Sequence, residues 1–183
     1  MRLKREETAA LFVDLQERLV PAMHQGEEVI RRNVVLFEGL KVLDVPAVFV
    51  RHYPKGLGEI ASPLREAAEG YVPFDKIVWS ATEEEGVAKE LARLRESGVK
   101  NILVTGMESH VCVLQTCLAL AEDGFQPVLV VDCADSRSPF EKEIGLRRAA
   151  QENVILTTVE SILFELCKKA GTDEFKAISK LVK

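Results

Sequence analysis

Short apolar runs alternate with longer segments whose apolar residues recur every three or four positions. This alternation limits the fold more than any other feature of the chain. The runs AALFV (9–13), VPAVFVRH (45–52), DKIVWSA (75–81), KNILVTG (100–106), QPVLVVD (126–132) and NVILTT (153–158) read as strands. The segments 27–43, 83–98, 110–124, 140–152 and 159–169 carry helical spacing, as do shorter pieces at 64–70 and 173–183. Glycines and prolines break residues 53–64, which read as a loop. Strands this uniformly apolar are buried on both faces, and strand–helix alternation is the signature of a parallel sheet with crossover helices. The expected architecture is one domain over 1–183, a Rossmann-like three-layer α/β/α sandwich. Its parallel sheet has about six strands in the order 3-2-1-4-5-6.

Composition narrows the function classes. The 183 residues carry a net charge of -5, with a pI near 5.4. A chain that recognises nucleic acid or an anionic membrane needs a basic face, so neither is expected as a partner. No apolar run approaches the roughly 20 residues of a membrane span. The first apolar stretch, Ala9 to Val13, is cut by Asp14 and does not read as a signal peptide. Cys112, Cys117, Cys133 and Cys167 form no CxxC pair, which points to free thiols in a reducing cytoplasm. His24, His52 and His110 lack ligand spacing, so no metal is expected. Neither GxGxxG nor GxxxxGK occurs, and no cofactor is expected.

In a sheet of this order strands 1 and 4 are neighbours at the switch point, and ligands bind beyond their carboxyl ends. Asp14 ends strand 1. The segment VTGMESHVC (104–112) leaves strand 4 through a glycine turn and reaches Cys112 among polar residues. A cysteine at a helix start feels the positive end of the macrodipole, and the free N–H groups there suit a developing oxyanion. Asp14 is then a candidate base for Cys112, with Lys76 a candidate cation beside them. Taken singly, each has a plainer explanation. A cysteine in an apolar helix is usually packing, an aspartate after a strand is often a helix cap, and a lysine is usually solvated.

Three separated pieces resolve these alternatives. LFVDLQ (11–16), FDKIVWSA (74–81) and VTGMESHVC (104–112) together resemble the isochorismatase-like cysteine hydrolases, which include nicotinamidases and N-carbamoylsarcosine amidohydrolase. DCADSRS (132–138) and VILTTVESILFEL (154–166) extend the similarity. HYPKGLGEI and FKAISKLVK are most similar to the isochorismatase-domain-containing branch. The resemblance implies a triad of Asp14, Lys76 and Cys112 and a cis peptide between Met107 and Glu108. It also implies an oxyanion hole from the Glu108 and Cys112 N–H groups. Gln16, His52, Trp79 and Glu108 are candidate pocket residues. The implied activity is hydrolysis of a small amide or carbamoyl compound through a thioester, by a homo-oligomer. Two alternatives stand beside it: cleavage of an isochorismate-like vinyl ether, and a non-catalytic binding or redox-responsive thiol protein. This chain departs from the family at Ser80-Ala81-Thr82, where an aromatic residue is frequent at the third position. It also has His52 alone where nicotinamidases carry an Asp-x-His metal cluster. The helix start and the Lys76 cation lead to the expectation that the Cys112 pKa lies below the ordinary thiol range.

Overall fold

The computed structural model describes residues 2–183. Six parallel strands form one sheet: β1 (Thr8–Val13), β2 (Ala47–His52), β3 (Phe74–Lys76), β4 (Asn101–Met107), β5 (Gln126–Asp135) and β6 (Ile155–Thr157). Their order is β3-β2-β1-β4-β5-β6, as the alternation predicts. The α-helices are α1 (Gly26–Val42), α2 (Pro54–Leu57), α3 (Ser62–Ala67), α4 (Glu85–Glu96), α5 (Leu114–Glu122), α6 (Pro139–Gln151), α7 (Val159–Cys167) and α8 (Asp173–Leu181).

Period-two alternation assigns each strand residue to a layer. Ala10 and Phe12 of β1, Phe49 of β2 and Leu103 of β4 face α1, α7 and α8. Phe37, Leu40, Leu163 and Ile178 close that layer. Leu11 and Val13 of β1, with Val48, Val50, Ile102 and Val104, face α4 and α5 through Val87, Leu91, Cys117 and Leu120. All six residues of β1 are buried, as a central strand covered on both faces requires. Phe12 stacks on Phe49 with ring centroids 4.6 Å apart, and Phe37 meets both rings edge-on.

Three segments differ from the sequence reading. The strand expected over 75–81 ends at Lys76. Lys76 bends its ammonium onto the Val78 carbonyl at 3.1 Å, and the chain leaves the sheet. Ile77 and Trp79 are then exposed. The expected loop over 53–64 contains α2, which begins with Pro54 at its first position, where a missing N–H costs nothing. The helix expected from residue 110 begins instead with a π-helical turn, Ser109–Val113, before α5 starts.

The register sets what meets at the carboxyl end of the sheet. Val13 lies opposite Gly106, and His52 lies opposite Lys76. Gly106 has φ +130°, and a Cβ there would lie 1.9 Å from the Val13 carbonyl oxygen. Only glycine lets β4 approach the end of β1 so closely. By contrast, Gly98 also has a positive φ (+101°), but a Cβ added there would meet no atom within 4 Å. Gly106→Ala is expected to cost more than about 4 kcal/mol of stability, because a rigid backbone oxygen must move. Gly98→Ala is expected to cost only about 1–2 kcal/mol of backbone strain. Urea denaturation of the two variants checks this; equal losses would show that the close approach at Gly106 is not what matters.

Candidate active site

Asp14 is the first residue beyond β1. It adopts φ +54°, a left-handed conformation that aspartate tolerates better than most residues. Its backbone N–H donates to the Val50 carbonyl at 3.1 Å, which ties the turn to β2. The side chain is fully buried. Lys76, the last residue of β3, donates from Nζ to Asp14 Oδ2 at 2.7 Å, and both side chains are essentially inaccessible to solvent. The two charges sit on strands separated by β2. His52, at the end of β2, lies with Nδ1 3.4 Å from Lys76 Nζ.

Cys112 lies in the π-helical turn and is buried. The Met107–Glu108 peptide bond that leads into this turn is cis. The Val111 and Val113 N–H groups both donate to the Glu108 carbonyl, at 3.1 and 3.2 Å, and hold the turn closed. Cys112 and Asp14 line the same cavity. Asp14 Oδ1 is buried and without a hydrogen-bond partner. The site therefore contains one carboxylate oxygen committed to Lys76 and one vacant acceptor beside a thiol.

The electrostatics correct the expected low thiol pKa. Burial, and then the Asp14 carboxylate, push the Cys112 thiol up to about 12; Lys76 opposes them without prevailing. Burial also raises Asp14 above the usual carboxylate range, against the pull of Lys76. The reason is a charge count. Two acids and one cation share a site that excludes water, so the arrangement that leaves no net charge keeps one proton on the acids. The resting cysteine is a thiol. Sequence reasoning weighed the helix start and the lysine but could not see the depth of burial.

Asp14, His52, Trp79, Glu108 and Cys112 line one cavity of about 140 Å³. The imidazole of His52 stacks on the indole of Trp79 with centroids 5.1 Å apart and planes at 20°, giving the cavity an aromatic wall. Burial, and then Lys76, lower the His52 pKa, so the ring is neutral near pH 7. Gln16 does not line the cavity. Its buried amide accepts from the His52 N–H at 2.7 Å and donates to the His52 and Gly58 carbonyls at 3.0 and 2.8 Å. Gln16 fixes the backbone that carries His52. Sequence reasoning missed the apolar residues Leu19, Leu57 and Val111, and also Arg137, which reaches the cavity and pairs with Glu108 at 2.9 Å. Arg137 lies within the DCADSRS segment, so the signal was present without a role attached. Leu19 and Leu57 carry no signal in sequence, because each looks like any other apolar loop residue. Among the described residues, no group of three or more His, Cys, Asp or Glu side chains is placed to hold a metal ion.

Comparison with known proteins places this geometry. The family model described as the isochorismatase domain matches residues 8–161. Isochorismatase family protein 2A from Dictyostelium discoideum is 32% identical, over 99% of this chain and 92% of the relative. The secreted isochorismatase effector Isc1 from Phytophthora sojae is 36% identical, over 96% of this chain and 85% of the relative. Among solved structures, the MAR1 ribonuclease from Caenorhabditis elegans superposes with a TM-score of 0.91 at 31% identity, covering 100% of this chain and 92% of that one. The octameric YcaC hydrolase of Escherichia coli, of unknown specificity, shares the fold with a TM-score of 0.90 at 20% identity, covering 99% of this chain and 89% of that one. The matched domain runs from β1 into α7 and contains every residue of the Asp14–Lys76–Cys112 cluster: the chain belongs to the isochorismatase family.

Proposed function

We propose that this family member is a cysteine-dependent hydrolase of a small amide or carbamoyl compound. The observation that carries the reading is the buried, unpartnered Oδ1 of Asp14 beside the Cys112 thiol. A vacant carboxylate oxygen in a dry site is costly unless a proton is to be delivered to it. Asp14 takes the proton of Cys112 as the sulfur attacks the substrate carbonyl, and Lys76 balances the negative charge throughout. The carbonyl oxygen gains the charge and rests on the Glu108 and Cys112 N–H groups. Asp14 then gives its proton to the nitrogen, the C–N bond breaks, and ammonia or an amine leaves. A thioester remains on Cys112. Water, activated by Asp14, cleaves it to the acid and restores the thiol.

The size and lining of the cavity support a small substrate. About 140 Å³ with a flat aromatic wall suits a compact carbonyl compound. Although the C. elegans relative is described as a ribonuclease, the acidic balance of this chain favours a small molecule over RNA. A nucleophilic cysteine favours amide chemistry over vinyl-ether cleavage, and the vacant acceptor favours catalysis over passive binding. The buried Ile178 of α8 packs into the same core as α1, which supports one unit over 1–183. Exposed Val72, Ile77, Trp79 and Phe140 support assembly into a homo-oligomer. Four unpaired thiols support a reducing, cytoplasmic setting.

The test is a panel of small amides, ureides and carbamoyl acids, with isochorismate and single-stranded RNA as further arms. Turnover of a panel amide is expected to fall at least about a thousandfold in Cys112→Ala. It is expected to fall by roughly a hundred- to ten-thousandfold in Asp14→Asn, which loses the base. Hydrolysis confined to the isochorismate or RNA arm would reject the amide reading.

Thiol titration gives a second check that needs no substrate. Because the Cys112 pKa is raised to about 12, its alkylation rate is expected to keep climbing with pH and reach no plateau near neutrality. Asp14→Asn removes a negative neighbour, which moves the profile to lower pH. Lys76→Met removes the cation and moves it higher. Iodoacetamide kinetics, with the label mapped to Cys112, measure both shifts; movement in the same direction would show that the three groups do not form one charge cluster.

A further inference from the structure

Glu108 and Arg137 both line the cavity, and Arg137 Nη2 donates to Glu108 Oε1 at 2.9 Å. Each backbone is anchored separately. The Glu108 carbonyl accepts from the Val111 and Val113 N–H groups, within the turn that carries Cys112. Arg137 lies between Ser136, whose carbonyl accepts from the His24 N–H at 2.9 Å, and Ser138, whose hydroxyl caps α6. The third charged lining residue is the inaccessible Asp14, matched by Lys76 at 2.7 Å. Among the described residues, the rest of the lining is the His52 ring, Trp79, the Cys112 thiol and apolar side chains. Every formal charge at the cavity therefore has its opposite beside it. We infer that Glu108 is a specificity-determining residue: its carboxylate cancels the Arg137 charge, so the cavity takes an uncharged carbonyl compound in preference to one that bears a carboxylate.

A guanidinium with no matching anion would suit a substrate carboxylate, because its planar fork pairs with one in two places. Glu108 already occupies that role. Its side chain is 13% exposed against 68% for Arg137, so the carboxylate is the held partner and the guanidinium is the arm that reaches it. An anionic occupant has to displace Glu108 from Arg137 and leave a largely buried carboxylate unpaired. An uncharged occupant leaves the pair intact. The selection thus works by a repulsive group at the mouth as much as by attraction within. The inference rests on the reading of Cys112 as the reacting group, yet its readout is alkylation and requires no turnover. Amide turnover with no charge selection rejects this inference alone, and charge selection with no amide turnover rejects the amide assignment alone.

Iodoacetamide and iodoacetate test this directly, being an uncharged amide and a carboxylate of nearly the same size. The rates at which each labels Cys112, mapped by peptide mass spectrometry, are measured at one pH and low salt. Both reagents meet the same thiolate, so the ratio of their rates cancels any change in thiol ionisation. Glu108→Gln leaves Arg137 unmatched, and the ratio is expected to move toward iodoacetate by at least about threefold, the size of an exposed ion-pair effect. Arg137→Gln leaves Glu108 unmatched, and the ratio is expected to move the other way. Because Arg137 is largely exposed, this second variant reads the pair without burdening the turn that holds Cys112. The double variant is expected to return to within about twofold of the wild type. Asp173→Asn, at a fully exposed position on α8, makes the same change in net charge and is expected to leave the ratio unmoved. An unmoved ratio in Glu108→Gln, shifts of both single variants in one direction, a double variant that stays with either single one, or an equal shift in Asp173→Asn overturns the proposal.

Discussion

The buried ion pair between Lys76 and Asp14 is the interaction on which the site depends. Its two members end β3 and β1, with β2 between them, so the pair forms only if three strands stop in register. Removing one member of such a pair strands a charge away from water, typically at about 3–5 kcal/mol. The pair also sets the protonation of everything near it. One cation supports one anion, so the second acid in the site, Cys112, retains its proton. The raised thiol pKa follows from the charge count together with the depth of burial.

Cys112 is held by a different device. β4 runs past the end of β1 because Gly106 has no side chain to strike the Val13 carbonyl. The chain then passes through the cis Met107–Glu108 bond into the π-helical turn. On its far side, His110 Nδ1 lies 2.9 Å from Ser136 Oγ, and Glu108 pairs with Arg137. The segment after β5 thus braces the turn from outside while β1 and β3 supply the charges from inside. The switch point brings the two together, since β1 and β4 are neighbours from which the chain continues to opposite halves of the sheet.

The cavity that results is small, with a polar base and an aromatic side. Its polar base consists of groups already engaged with one another, apart from Asp14 Oδ1. Trp79 owes its place in the wall to the early end of β3. Beyond Lys76 the chain leaves the sheet, the Val78 carbonyl accepts from the Lys76 ammonium, and the indole of Trp79 stacks on His52. A short edge strand here creates the pocket wall.

The sequence determined the layers, because periodicity is a local property. Six apolar runs and the helices between them were legible, and the right-handed crossover rule left few sheet orders to choose from. The positions of Asp14 after strand 1 and Cys112 in the turn beyond strand 4 were legible for the same reason, Lys76 was a candidate cation beside them, and the resemblance joined the three into a triad. Only the tertiary structure decided what depends on groups distant in the chain. Gln16 looked like a pocket residue but is consumed by the His52 and Gly58 backbone, 36 and 42 positions away. Arg137 reached the cavity from a loop whose direction no local pattern encodes. β3 ends at Lys76, whose ammonium bonds to the Val78 carbonyl, although the apolar pattern runs on to residue 81. The thiol pKa was decided by burial, which is a sum over all neighbours in space and has no counterpart in any stretch of sequence.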